Sequence, residues 1–254
     1  INHQQTKPNQ PRLAYLAWQQ TAMGEWIQQN ENAQLRAWLG RSFGKIGLHL
    51  GHAAPTLWQA SGIQQILNVE MDLHQNNSQS DIITDFIKLP FLNQSIDCIC
   101  APHALDFSPQ PLLLLAEMHR VLSADGQLFL TGFNPHSWWN AHPRWRKTVR
   151  SFNRQQQLGV PIKSIMTQSS AASMIMRSGC FMAYRPPFLS RAQLKSWAFL
   201  EQAGNRWLPD MGAVYALHLQ KRTHSLHLIQ PNWSLQTQPP FALADTQLER
   251  KYGK

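Results

Sequence analysis

The sequence predicts an α/β fold whose mostly parallel, doubly wound sheet is covered by helices on both faces, and three observations carry the prediction. Short apolar runs alternate with helix-like stretches from about residue 44 to residue 133. The hydrophobic fraction, 43% of 254 residues, is enough for a large core. No uninterrupted apolar run approaches the ~20 residues that a membrane span needs. The most apolar segment, "PLLLLAEMHRVL", soon meets Glu117, His119 and Arg120 and reads as a buried amphipathic helix.

Residues 12–40 place Leu13, Leu16, Ala17, Trp26, Ile27, Leu35, Trp38 and Leu39 at helical intervals. Gly24 and the "QNEN" run predict a split into two helices, with Gly40 closing the second. "KIGLHLG" then reads as a strand, "APTLWQASG" as a helix with Pro55 near its start, and "QILNVEM" as a strand. "DIITDF" and "SIDCICA" are two more short strands. "QPLLLLAEMHRVL" is a helix, "ADG" a turn and "QLFLTGF" a strand. Beyond the basic, aromatic residues 138–161, which read as an insertion, "QSSAASMIMRSG" predicts a helix ended by Gly179. "CFMAYRPPF" predicts a strand broken by its prolines, "SRAQLKSWAFLEQAGNRW" a helical stretch, and "AVYALHLQKR" the last strand. The expected organisation is N-terminal helices over 1–41, a main domain over 42–222 and a flexible Gln/Pro/Thr-rich tail over 223–254.

Charge is unevenly spread. Residues 126–200 carry ten Lys/Arg and no Asp/Glu, while the chain as a whole is at +9. An acid-free block of this kind suits an anionic partner, such as nucleic acid or an anionic surface, or else is a solvated face. Cys98, Cys100 and Cys180 make an odd count without metal-ligand spacing. Cys98 and Cys100 flank Ile99 on one face of a strand, which predicts buried free thiols, no metal site and a cytoplasmic setting. The N-terminus is polar, without the apolar core of a signal peptide, although the chain opens at Ile1 and leaves a trimmed leader open.

Residues 85–134 carry a family likeness. Asp85, Leu89-Pro90-Phe91, Asp97, His103, Asp106, Glu117, Arg120-Val121-Leu122 and Asp125-Gly126 fall in order on a pattern that resembles the class I S-adenosylmethionine-dependent methyltransferases. The likeness covers residues 44–134 well. It implies a Rossmann-like, seven-stranded sheet and a cofactor held at the carboxyl edge. In this family the first strand ends in an acid followed by a Gly-x-Gly-x-Gly run. Here His49 takes the acid's place, Gly51 keeps the first glycine, and Ala53 and Pro55 replace the other two. Imidazole lacks the negative charge that helps bind the cofactor's ammonium group, and Pro55 fixes φ and removes a donor.

Two further cofactor contacts look intact on the same resemblance. Glu70 ends the second strand at nearly the separation from Gly51 at which an acid reaches a ribose hydroxyl in dinucleotide folds. Asp85 matches the acid that meets the adenine amino group, and Pro102 lines the same edge. Glu70 also reads as a solvent-facing strand end, and Asp85 as a turn-forming acid. A pocket that keeps the adenosine contacts and alters the methionine end binds the cofactor weakly, or binds another adenosine compound.

His103 and Asp106 follow the fourth strand and would face the transferring methyl. His103 reads as a general base or as packing over the cofactor. Asn134 begins a substrate-side loop or simply turns the chain. Trp138, Trp139, Arg144 and Arg146 in the insertion suit nucleobases, phosphates or an anionic membrane surface. Equally, they read as helices with core tryptophans and solvated arginines. The eleven histidines are scattered without metal spacing, and no Gly-x-Ser-x-Gly elbow is present. The expected function is methyl transfer from S-adenosylmethionine to an unidentified acceptor. The alternative is a non-catalytic relative that keeps the fold as a binding module for an anionic partner.

Overall fold

The computed structural model describes residues 10–51, 55–70, 81–84, 88–152 and 159–222. Two helices come first, α1 (Gln10–Gln19) and α2 (Ala22–Leu39). The break between them falls at Thr21 rather than at Gly24. Thr21 caps α2, its hydroxyl accepting the Gly24 N–H at 3.2 Å. Gly24 is needed for a different reason: a Cβ there would collide with the Trp18 carbonyl at the end of α1. The "QNEN" run does not interrupt α2, which Gly40 closes as expected by donating its N–H to Arg36.

The strands are β1 (Phe43–Leu50), β2 (Gly62–Glu70), β3 (Ile82–Ile83), β4 (Ile96–Pro102), β5 (Leu122–Phe133), β6 (Met174–Met182) and β7 (Val214–Lys221). Their order across the sheet is β3-β2-β1-β4-β5-β7-β6. All pairings are parallel except those of β7, which runs antiparallel to both β5 and β6. Six strands have full ladders, whereas β3 is a two-residue pairing with Val69 and Glu70. The remaining helices are α3 (Ala104–Phe107), α4 (Pro111–Val121), α5 (Pro143–Phe152), α6 (Ile162–Ala171), α7 (Arg191–Ser196) and α8 (Phe199–Trp207).

Alternation along the strands assigns side chains to the two faces. Leu48 and Leu50 of β1 join Leu114, Leu115 and Met118 of α4 and Ile165 of α6 on one face. On the other, Cys98, Cys100 and Phe129 pack under Leu35 and Leu39 of α2 and under Trp58. Burying each such aliphatic side chain contributes about 1.5–3 kcal/mol. Cys98 and Cys100 are free and share that face, and burial pushes both thiols up. A third cluster, with Phe133, Met182 and Val214, lies where α1 and α5 cover the carboxyl ends of β5 and β6. The N-terminal helices are therefore part of the same core as the sheet.

One expected helix is absent and another is shifted. Residues 55–57 form only a 3-10 turn, and β2 begins at Gly62, so no α-helix follows β1. The eleven residues between the strands leave no room for one, and α2 covers that part of the sheet instead. The helix expected up to Gly179 ends at Ala171, and Gly179 lies within β6 opposite Leu217. The predicted tail over 223–254 and residues 153–158 of the insertion lie outside the described residues.

Much of the family pattern is scaffolding. Arg120 binds Glu117 through Nε and Nη2 and donates to the carbonyls of Phe91 and Leu89. Glu117 in turn accepts the Leu89 N–H at 3.1 Å. This bidentate pair pins the Leu-Pro-Phe turn to α4. Asp97 accepts the N–H groups of Lys45 and Ile46 and the Ser123 hydroxyl, fastening β1 to β4.

Candidate functional site

Three of the expected cofactor residues meet at the carboxyl edge of the sheet. Gly51 leaves β1 with φ +125°, which L side chains rarely adopt, and its N–H donates to Val69 at 3.0 Å. Glu70 is the next residue of β2 and is fully buried at the strand's end. Its carbonyl accepts the N–H of Thr84, so the chain after β3 closes against it. Pro102 ends β4 with its carbonyl beside Gly51, about where a Cβ on that glycine would make ordinary contact. Glu70 is thus not the solvent-facing strand end that the sequence equally allowed.

His49 belongs elsewhere. It is fully buried within β1, between Asn68 of β2 and Cys100 of β4, and its Nδ1 accepts the Trp58 indole N–H at 3.4 Å. The imidazole is turned onto the face covered by Trp58, in place of the helix that does not form. Ala53 and Asp85 lie outside the described residues.

At the end of β4, His103 holds a left-handed backbone (φ 51°) and starts the one-turn helix α3. Its ring is buried between two carboxylates. Nδ1 lies 2.7 Å from Asp106 Oδ2, and Nε2 lies 2.7 Å from Glu31 Oε1 on α2. Burial by itself would lower the imidazole's affinity for protons. The Glu31 and Asp106 carboxylates outweigh it and push the pKa up to about 10. The ring is therefore held as an imidazolium donating from both nitrogens. Asp106 also accepts the Phe133 N–H at 2.9 Å, joining the cluster to the end of β5. Tyr15, Phe107 and Phe133 pack around it, with Tyr15 4.7 Å from Phe107 and His103 4.5 Å from Phe133, centroid to centroid. Burial, then the charges of Glu31 and Asp106, hold the Tyr15 hydroxyl protonated.

The substrate-side residues are used by the fold. Asn134 donates to the carbonyls of Asp210 and Gly212, both at 2.8 Å, and its Oδ1 accepts the His136 N–H. Trp139 is fully buried, donates to the Arg185 carbonyl at 2.6 Å and meets Trp145 edge-on at 4.6 Å. Trp138 is partly buried against the same cluster. Arg144 and Arg146 stand exposed on α5, whose Trp145 and Val149 pack inward near α1. The insertion is thus a helical cover with core tryptophans and solvated arginines.

Two participants were not legible in advance, Glu31 and Trp58. Each is the partner of a singled-out histidine, Trp58 nine positions from His49 and Glu31 seventy-two positions from His103. The one local signal was Glu31 itself, an acid on the turn of α2 that also presents Ile27 and Leu35 to the core. Among the described residues, no group of three or more His, Cys, Asp or Glu can hold a metal ion. None of their helices is long and apolar enough to cross a membrane.

Comparison with known proteins agrees with this architecture. The family described as "Methyltransferase domain" matches residues 46–130, from β1 into β5. The protein YafS of Escherichia coli (strain K12) is 28% identical over 215 residues, covering 83% of this chain and 82% of that protein. An S-adenosylmethionine dependent methyltransferase from Mesorhizobium loti shares the fold with a TM-score of 0.52 at 14% identity, over 80% of this chain and 100% of that one. Phosphoethanolamine N-methyltransferase 2 of Haemonchus contortus, solved with S-adenosyl-L-methionine, gives a TM-score of 0.53 at 14% identity, over 81% of this chain and 58% of that one. With the strand order, these matches show that residues 46–130 carry the pattern of a methyltransferase domain and that the chain shares the α/β fold of S-adenosylmethionine-dependent methyltransferases.

Proposed function

We propose that the protein is a methyltransferase that takes its methyl group from S-adenosylmethionine, and that the two-residue β3 is the reduced seventh strand of the family's sheet. The observation that carries this reading is the meeting of Gly51, Glu70 and Pro102 at the carboxyl ends of β1, β2 and β4. The positive φ of Gly51 lets the chain turn away from the edge with no side chain over it. Glu70 presents a carboxylate suited to accept hydrogen bonds from two adjacent ribose hydroxyls. These residues fit the adenosine half of the cofactor, and Asp85 is proposed for its adenine amino group. The methionine half has less support, because His49 is turned into the core and has no negative charge to offer an ammonium group.

When bound, the cofactor supplies a methyl group already activated on a sulfonium. The chain's own part is then to align an acceptor and exclude water. His103 and Asp106 lie just past the carboxyl end of the central strand β4, where this chemistry would take place, but His103 is not proposed as a base. Its two nitrogens both donate to carboxylates, so it takes no further proton. We propose instead that His103 and Asp106 are positioning residues that lock α2 and the end of β5 over the acceptor side. Tyr15, Phe107 and Phe133 keep that side dry. The acceptor is then a nucleophile that attacks through a lone pair without needing deprotonation by His103.

A second role is supported by the exposed Arg144, Arg146, Lys147 and Arg150 on the outer side of α5, within the acid-free block. That face suits an anionic partner, whether nucleic acid or an anionic surface. The altered loop after β1 and the buried His49 also support a purely non-catalytic binding module. Calorimetric titration with S-adenosylmethionine separates the two: saturable heat supports the enzyme, and silence at about millimolar ligand leaves only the binding module.

A further inference from the structure

We infer that the α7–α8 edge, together with the basic face of α5, docks the protein on an anionic lipid bilayer. The inference deepens the anionic-partner reading by naming the partner, and it does not depend on cofactor binding.

It starts from a helix that buries nothing. No residue of α8 is buried, although a nine-residue helix is too short to persist in water on propensity alone. It is held from one side by Gly204, which lies against the Tyr184 ring where a Cβ would clash, and by Glu201, which accepts the Tyr184 N–H. Its outward surface carries two large apolar residues, Phe199 and Trp207, beside the polar Gln202, Asn205 and Arg206, and Trp197 and Leu208 flank it. Trp197 is 39% exposed, Phe199 60%, Trp207 75% and Leu208 58%, all within twelve consecutive residues. Trp197 and Phe199 stack on each other at 6.1 Å and form one exposed aromatic pair. Such a concentration marks an interaction site rather than ordinary surface.

Cations surround it. Arg191 and Lys195 lie on α7, and Arg206 sits over the Trp207 ring at 5.7 Å. A cleft of about 660 Å³ opens beside them between α2 and α7, lined by Arg185, Arg191, Lys195, Trp26 and Glu25 among others. The basic helix α5 adjoins the same edge, since His142, just before it, meets the exposed Phe188 at 5.2 Å. The nearby acids are Glu25, paired with Arg191 at 2.6 Å, Glu201, 3.5 Å from Arg185, and the exposed Asp210 just past Leu208, which leaves Lys195, Arg206 and the α5 cations to supply the positive charge.

The chemistry favours lipid over the other anionic partners. Tryptophan settles at headgroup depth, Phe and Leu enter the acyl boundary, and each basic residue near an anionic surface adds about 1 kcal/mol. Leu208 has no π-face on which a base could stack, and Arg206 lies over one face of Trp207. A second copy of the chain would bring a like-charged surface to the same place.

The test is co-sedimentation of the full chain with phosphatidylcholine vesicles, with and without phosphatidylglycerol, beside a single-stranded oligonucleotide titration. The expected result is binding to the phosphatidylglycerol vesicles only. It should fall roughly tenfold or more in a Trp197→Ser, Phe199→Ser, Trp207→Ser variant and in an Arg144→Glu, Arg146→Glu variant. These side chains lie outside the core, and circular dichroism confirms that each variant is folded. Vesicle binding that is indifferent to phosphatidylglycerol, or unchanged in either variant, overturns the inference. Oligonucleotide binding without vesicle binding overturns it while keeping an anionic partner. Failure of both arms removes that reading as well.

Discussion

The Nε2 of His103 stands 2.7 Å from Oε1 of Glu31, a residue seventy-two positions earlier in the chain. The contact joins the N-terminal helix pair to the end of β4 and makes α2 part of the site. Removing one partner of a buried charge pair strands the other. Glu31→Ala should therefore cost about 3–5 kcal/mol of stability. Glu31→Gln, which keeps an acceptor oxygen, should cost about 1–3 kcal/mol. Urea denaturation measures both, and equal, small losses would mean that the pair does not latch α2.

The same cluster sets a pH dependence. Below the ordinary imidazole value of 6.5 the ring is charged in folded and unfolded chains alike, and the latch contributes in full. As pH rises, the unfolded ring loses its proton first, while the folded ring keeps its own up to about 10. The stabilisation should decline across that window and be gone above it. Melting temperatures of the wild type and of His103→Gln, followed from neutral to alkaline pH, should converge as pH rises. Parallel curves would contradict the cluster's charge state.

Gly51 is expected to resist substitution. Its φ of +125° is strained for any residue with a Cβ, although a Cβ there would make only ordinary contact with the Pro102 carbonyl. Gly51→Ala should cost on the order of 1–3 kcal/mol through backbone strain alone. Thermal denaturation checks it, and a neutral result would show that the turn relaxes.

Asn134 and Trp139 should behave as structural residues. Asn134→Ala leaves the Asp210 and Gly212 carbonyls without their donor, and Trp139→Ala opens a cavity beside Trp145. Expected losses are about 2–3 kcal/mol and about 3–5 kcal/mol in denaturant titrations. If either variant instead lost acceptor affinity at full stability, the residue would belong to a substrate site.

The parts of this molecule that were legible in the sequence are those written in local pattern. The strands around Leu48, Ile99 and Leu128 announced themselves as apolar runs, and the Leu89-Pro90-Phe91 and Glu117/Arg120 positions carried the family likeness. The failures came where tertiary context overrode the local signal. Residues 54–62 look helical, yet the short connection to Gly62 forces a turn and sends Trp58 inward onto His49. Met174 to Gly179 reads as the end of a helix, but pairing with β7 draws it into the sheet. Glu31 sits in a polar run that suggests a break, and its meaning depends on a histidine brought to it by the fold.

The most direct test is calorimetric titration of S-adenosylmethionine into the wild type and into Glu70→Ala. A saturable isotherm is expected for the wild type, with affinity weakened by roughly tenfold or more in the variant, as follows when a carboxylate acceptor is lost. A wild type silent at about millimolar ligand, or a variant that binds as well as the wild type, would contradict this expectation.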